Sequence, residues 1–285
     1  MMNEKETSMP DNTAIRTALW RALHLTADAR PPVFEDETGL KIAAPEEGWQ
    51  NRPDMNADFT KRVRASILAR ARYVEDIIVE EINRGIKQYV ILGAGLDTFA
   101  QRKPTLASQM EVYEIDEPPT QSWKKQRLTT LGYEIPKWLH FVPVDFEKAS
   151  WWEELQKSGF DAHKPAFVSC IGVSLYLTKE AITSTLSQIA QMAKGSRLAM
   201  TFYLPLHMMD KEDQPLQEIA LKGTRESKTP MISFFTREEI AQLAITAGFK
   251  EFKTISTQEM TPLYFGDRTD GLVPASGEIF LVATT

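Results

Sequence analysis

Cysteine is nearly absent: Cys170 is the lone thiol among 285 residues. A single thiol excludes an internal disulfide and a cysteine-built zinc site. Histidine is scarce too. His24, His140, His163 and His207 lie far apart and form no HxxxH pair, so no structural metal is expected. No apolar run approaches the roughly 18 residues that a membrane-spanning helix needs. Positive charge is in deficit, with 33 Lys and Arg against 39 Asp and Glu, a net charge of −6. That balance does not supply the basic stripe that neutralises phosphates, so a nucleic-acid partner is not expected. The opening stretch MMNEKETSMPDN is polar and has no signal-peptide core, which makes a cytoplasmic protein the expectation.

The composition itself is that of a globular protein, 42% hydrophobic and 25% charged. One stretch organises it: Lys87 to Asp97, KQYVILGAGLD. The short apolar run Tyr89 to Leu92 stops at a glycine, as a strand buried on both faces does. Gly93 and Gly95 then let the backbone turn tightly and approach a ligand where a Cβ would collide. Leu96 to Arg102 reads as a helix start, with Asp97 and Thr98 as candidate caps. A bare GxG is a weak signal, because a plain turn can also hold two glycines, and Thr98 stands where a dinucleotide fingerprint needs its third. The next strand, MEVYEID, adds to it by ending in Asp116, about twenty residues past the glycines, where an acid can accept from both ribose hydroxyls. The alternative for Asp116 is a solvated acid at a strand end.

Along the chain, residues 1–12 are expected to be disordered. Residues 13–85 read as a helical cover, with helices at Thr13 to Ala27 and Asp58 to Asn83 around an irregular segment, Val33 to Pro53. Gly85 closes the second helix. Residues 86–285 then alternate strand and helix. Strands are predicted at Leu139 to Asp145, Pro165 to Val173 and Arg197 to Leu204. Helices are predicted at Ser122 to Leu131 after a loop opened by Pro118 and Pro119, at Trp151 to Gly159, and at Lys179 to Ala193 with Gly195 as its stop. Such alternation gives a parallel, doubly wound α/β sheet. The end breaks the pattern. A polar segment, 206–230, precedes a helix with a capping box of Thr236 and Glu239, and the strands Phe249 to Ser256 and Gly277 to Ala283 should pair antiparallel. The N-terminal helix and segment 206–230 are expected to lid the site from two directions.

A seven-stranded, Rossmann-like, mostly parallel sheet with an antiparallel last strand and an N-terminal helical cover resembles class I S-adenosylmethionine-dependent methyltransferases. The motifs YVILGAGLDTFAQR, YEIDEPPTQSWKKQR and FVSCIGVSLYLTKEA resemble the leucine carboxyl methyltransferase-like family. ALWRALHLTADARPPVFEDETG and RARYVEDII fit its bacterial branch, which is associated with methylation of small-molecule oxygens. The resemblance implies S-adenosylmethionine as cofactor. It implies cofactor contacts from Gly93, Ala94 and Gly95, a ribose contact from Asp116, and adenine contacts from Asp145 and Phe146. Arg70, or Arg72, would meet the cofactor carboxylate with a planar donor fork. The family's acid near the end of the fourth strand is missing here, where Ser169-Cys170-Ile171 stands; Cys170 could contribute through its backbone, and a leucine-carboxyl substrate is put in doubt.

Methyl transfer is an in-line displacement for which the protein supplies placement and electrostatics. A small-molecule acceptor belongs beyond the fourth and fifth strands, where Tyr176, Tyr203 and His207 fall. These are the candidate catalytic residues, although the tyrosines also read as pocket lining and His207 as a surface histidine. A carboxylate acceptor needs no base, whereas a hydroxyl is helped by one. Two other function classes fit the pattern less well: a nicotinamide-dependent oxidoreductase, and a non-catalytic cofactor-binding module.

Overall fold

Side-chain alternation along the strands decides which helices cover each face of the sheet. The structure, a computed structural model, describes residues 12–146, 149–226 and 229–285. The predicted disordered N-terminus therefore lies almost wholly outside the described residues. The chain begins with α1 (Asn12–Ala27), α2 (Glu37–Ala43) and the long α3 (Lys61–Asn83). It continues through β1 (Gln88–Leu92), α4 (Phe99–Arg102), α5 (Pro104–Ala107), β2 (Glu111–Asp116), α6 (Pro118–Thr130), β3 (Leu139–Pro143) and α7 (Trp151–Lys157). After these come β4 (Phe167–Cys170), α8 (Lys179–Ala190), β5 (Arg197–Tyr203), α9 (Gln214–Glu226), α10 (Arg237–Ala247), β6 (Glu251–Ser256), α11 (Thr261–Tyr264) and β7 (Glu278–Thr284).

The seven strands lie in the order β3-β2-β1-β4-β5-β7-β6. Pairs from β3 to β5 are parallel, while β7 runs antiparallel to both β5 and β6. Chain order reverses between β1 and β4, and ligands bind outside the carboxyl ends of strands at such a switch point. Val90 and Leu92 face a core with α7, α8 and α10, where Ile182, Leu186 and Ile240 are buried. Tyr89 and Ile91 face the opposite core, filled by Leu68, Tyr73, Val74 and Ile77 of α3. Each such side chain contributes about 1.5–3 kcal/mol by leaving water. A third cluster joins Ile15, Leu19 and Leu23 of α1 to Leu96 and to Trp123 of α6. α1 is thus docked beside the glycine turn, whereas α3 packs on one face of the sheet. No helix among the described residues is long and apolar enough to cross a membrane.

The structure corrects four local expectations. The segment predicted as irregular holds α2, capped by Asp36, whose side chain accepts from the Gly39 N–H. Pro118 and Pro119 open no loop. They are the first residues of α6, where proline's fixed φ suits the helix and its missing N–H costs nothing. The helix after the glycine turn is the single turn α4, since the chain bends at Lys103 and restarts at Pro104. Gly195 does not stop α8, which ends at Ala190 with the backbone N–H of Gln191 bonded to Gln188 and Ile189 carbonyls. The predicted capping box is present, with Thr236 and Glu239 bonding reciprocally.

Candidate functional site

The glycine turn leaves β1 at φ +71° for Gly93 and +48° for Gly95, both left-handed. The N–H groups of Gly93 and Ala94 both donate to the Ile115 carbonyl, at 2.9 and 3.1 Å, which ties the turn to β2. A Cβ on Gly93 would stand 2.3 Å from Cγ2 of Val173. The glycine that the sequence assigns to ligand approach is therefore also demanded by the chain's own packing. Gly95 meets α1 instead, with the Ala14 Cβ 3.4 Å from where its own would lie.

Asp116 ends β2 with its carboxylate turned back to the turn. Oδ2 accepts from the Gly95 N–H at 2.6 Å and Oδ1 from the Glu117 N–H at 2.7 Å. Burial raises its pKa, against the lowering effect of those N–H donors. The Val144 N–H donates to the Asp116 carbonyl, so the half-buried Asp145 and Phe146 leave β3 beside it. Glycine turn, Asp116 and Asp145 thus occupy the carboxyl ends of three adjacent strands.

Arg70 and Arg72 diverge. Arg72 is half exposed, bonds Asp76 one turn along α3 and lies over the Tyr264 ring. Arg70 is buried and reaches across the ends of β4 and β5. Its Nη1 donates to Glu278 Oε1 at 3.0 Å and to the Tyr203 hydroxyl at 3.4 Å. Burial opposes its charge, but Glu278 and then Tyr203 outweigh that and raise its pKa. Gly172, at φ +71°, gives it room, since a Cβ there would lie 3.1 Å from Nη1. Tyr203 is held as the neutral phenol, chiefly by burial and next by the Glu278 carboxylate. Tyr176 ends a short turn after β4, near enough to bear on the charge of both Arg70 and Tyr203. Cys170 is the buried last residue of β4, its thiol pushed up to about 12 by burial. His207 is exposed on a one-turn helix and is not brought to this cluster.

Sequence reasoning missed two groups. One is Glu278, because an acid at the start of a last strand has no local signature. The other is Asp36, which is fully buried and gathers Arg21 at 2.6 Å, the Thr98 hydroxyl at 2.8 Å and Arg102 at 3.4 Å. Burial raises the Asp36 pKa, yet Arg21 and Arg102 together outweigh it and leave the carboxyl below its usual range. Arg21 also donates to the Leu96 carbonyl, so α1, α2 and the glycine turn share one polar junction. Thr98, the residue in place of a third glycine, is a member of it.

A family model described as Leucine carboxyl methyltransferase matches residues 14–190. A Bacillus subtilis (strain 168) protein, YktD, provisionally named an S-adenosyl-L-methionine-dependent methyltransferase, is 36% identical over 229 residues, covering 79% of this chain and 75% of that one. A Mycobacterium tuberculosis (strain H37Rv) protein with the same provisional description is 31% identical over 166 residues, 58% of this chain and 53% of its own. Among solved structures, one from Thermobifida fusca YX, provisionally titled a methyltransferase, superposes with a TM-score of 0.61 at 17% identity, covering 99% of this chain and 96% of that one. A DUF574 family protein from Streptomyces avermitilis MA-4680 gives 0.59 at 15% identity, covering 94% and 96%. The two structures share the fold, and the family model spans more than half of the chain together with the glycine turn and the acid of β2. The chain belongs to the leucine carboxyl methyltransferase family and is an S-adenosylmethionine-dependent methyltransferase.

Proposed function

We propose that this chain transfers a methyl group from S-adenosylmethionine to an oxygen of a small molecule. The observation that carries the reading is the row of Gly93–Gly95, Asp116 and Asp145 at the ends of β1, β2 and β3, with the Arg70 guanidinium buried at the neighbouring strand ends. The donor set fits the cofactor's chemistry. Asp116 is an anionic acceptor for two ribose hydroxyls, with lone pairs beyond those its N–H partners use. Asp145 can accept from the adenine amine while the backbone of Phe146 meets a ring nitrogen. Gly93, Ala94 and Gly95 pass the methionine part, the Cys170 backbone borders it, and Arg70 receives the carboxylate. When bound, S-adenosylmethionine supplies an electrophilic methyl group, and the chain supplies alignment and water exclusion. Tyr176 and Tyr203 stand beside Arg70 and are retained as acceptor contacts, whereas His207 faces solvent. The covers over this site are α1, through Ala14 and Arg21, and segment 206–230, through Met209 and α9.

Calorimetry with S-adenosylhomocysteine tests the reading. Asp116→Ala is expected to weaken binding by about 2 kcal/mol, roughly 30-fold, since two hydroxyls lose a charged acceptor. Unchanged affinity in a folded variant would remove Asp116 from the ribose. Arg70→Lys should weaken binding as well, because a point charge cannot reproduce the fork. If Arg72→Lys weakens binding and Arg70→Lys does not, the carboxylate contact belongs to Arg72.

A further inference from the structure

Met209, Asp213 and the start of α9 at Leu216 and Gln217 roof a cavity of about 270 Å³ at the carboxyl end of β5. Phe59, Val63, Met209 and Leu216 give it an apolar wall, and Tyr203 and Glu278 form its polar end. The roof is fastened to α3 by ion pairs. Arg62 bonds Asp213 at 2.6 Å and Glu212 at 3.0 Å, and Asp213 also accepts from the Ser276 N–H and hydroxyl at 2.8 Å. Asp213 therefore joins α3, the roof and the entry to β7. Burial raises its pKa, but Arg62 and Ser276 bring the carboxyl below its usual range.

Glu278 is 2% exposed. Its Oε1 is taken by Arg70, but its Oε2 has no hydrogen bond among the described residues. A buried carboxylate oxygen without a donor is unfavourable, which a folded chain tolerates where a ligand supplies the donor. The vacant lone pairs ask for an O–H or N–H group. They repel a second carboxylate, because the cations here are already engaged, Arg70 by Glu278 and in the proposed reading by the cofactor carboxylate, and Arg62 by Asp213 and Glu212, while Asp58 adds a further acid to the cavity lining.

We propose that this cavity is the methyl-acceptor site and that the acceptor is an uncharged, hydroxyl-bearing molecule with an apolar body, its hydroxyl donating to Glu278 Oε2. The inference rests on the O-methyltransferase reading and narrows it from carboxylate or hydroxyl to hydroxyl. A volume of about 270 Å³ lies at the small end of ligand cavities, which suits a single ring with a short substituent. In the transfer, the acceptor oxygen forms its bond to the methyl carbon as the carbon–sulfur bond breaks. The bonding pair stays on sulfur and the hydroxyl proton passes to Glu278. The neutral Tyr203 phenol lies against the same carboxylate and, with Arg70, holds it in place.

The test is ligand-observed NMR on the full chain, with a fragment set of matched phenols, alcohols and carboxylates such as 4-ethylphenol and 4-ethylbenzoate. S-Adenosylhomocysteine affinity is measured separately by calorimetry. Hydroxyl members are expected to bind at least about tenfold more tightly than their carboxylate partners, since a like charge beside Glu278 is unfavourable. Glu278→Gln should shrink that preference to about threefold or less, because the repelling charge is gone. Leu216→Trp should fill the cavity and remove fragment binding while leaving S-adenosylhomocysteine affinity unchanged. Equal or tighter binding of the carboxylates overturns the proposal. So does fragment binding that survives Leu216→Trp, or failure of every hydroxyl fragment to bind. Failure to bind S-adenosylhomocysteine would instead count against the methyltransferase reading, and the fragment result would stand apart from it.

Discussion

Gly93→Ala is expected to cost the fold about 2–5 kcal/mol and to abolish measurable S-adenosylhomocysteine binding. Two separate effects add. A left-handed φ of +71° costs an L-residue about 1–2 kcal/mol. The new Cβ would also stand 2.3 Å from Val173 Cγ2, and forcing an extra carbon into a packed site costs about 1–3 kcal/mol. Val173 sits on the segment after β4, so its displacement moves the strand ends around Gly172 and Arg70 too. Urea unfolding separates the two effects. Adding Val173→Ala should recover the packing part and leave the backbone part of about 1–2 kcal/mol. A Gly93→Ala midpoint equal to wild type would mean that the turn is not left-handed. Cofactor affinity restored by the double variant would mean that packing alone makes glycine necessary there.

The strands and their alternation were legible because a strand buried on both faces must be apolar over a short run, as Tyr89 to Leu92 and Phe167 to Cys170 are. The capping box of α10 was legible because its two members are local. The acids Asp116 and Asp145 were legible because each follows an apolar run at a strand end. The arginines were harder. Arg70 and Arg72 are two residues apart on one helix, and only the packing of α3 shows that one turns inward and the other pairs with Asp76. Pro118 misled, since proline closes a helix interior but favours a helix start, and the difference lies in the residues that follow. Glu278 was invisible because its partners, Arg70 and Tyr203, lie 208 and 75 positions away in sequence. Asp36 was hidden for the same reason, gathering donors from α1, α4 and the turn before it. Long-range polar junctions leave no periodic trace, yet they fix how the cover meets the site.

At pH values where Glu114 would be ionised, Lys124→Met is expected to destabilise the protein by about 3–5 kcal/mol, because it strands a buried carboxylate. Lys124 Nζ lies 2.5 Å from Glu114 Oε2, with each side chain 1% exposed. Burial raises the Glu114 carboxyl to about 7, ahead of the lowering pull of Lys124. The pH dependence follows from that direction. Between 4.5, the ordinary value, and about 7, the folded chain keeps a proton that the unfolded chain gives up. The stabilisation from Glu114 is therefore full below the ordinary value and is lost as pH rises through about 7. Without Lys124 the carboxyl holds its proton to still higher pH. The damage in Lys124→Met should then be small at about pH 5.5 and large at about pH 8. Urea midpoints at the two pH values measure this. Adding Glu114→Gln removes the stranded charge, so the double variant should regain most of the loss at the higher pH. An equal loss at both pH values, unrelieved by Glu114→Gln, would mean that Lys124 contributes packing rather than charge. Glu114 precedes Asp116 by two residues on β2, and Lys124 lies on the helix that β2 feeds. The buried pair holds strand to helix at the point where Asp116 turns back to Gly95, so weaker S-adenosylhomocysteine binding should accompany the loss of stability at high pH.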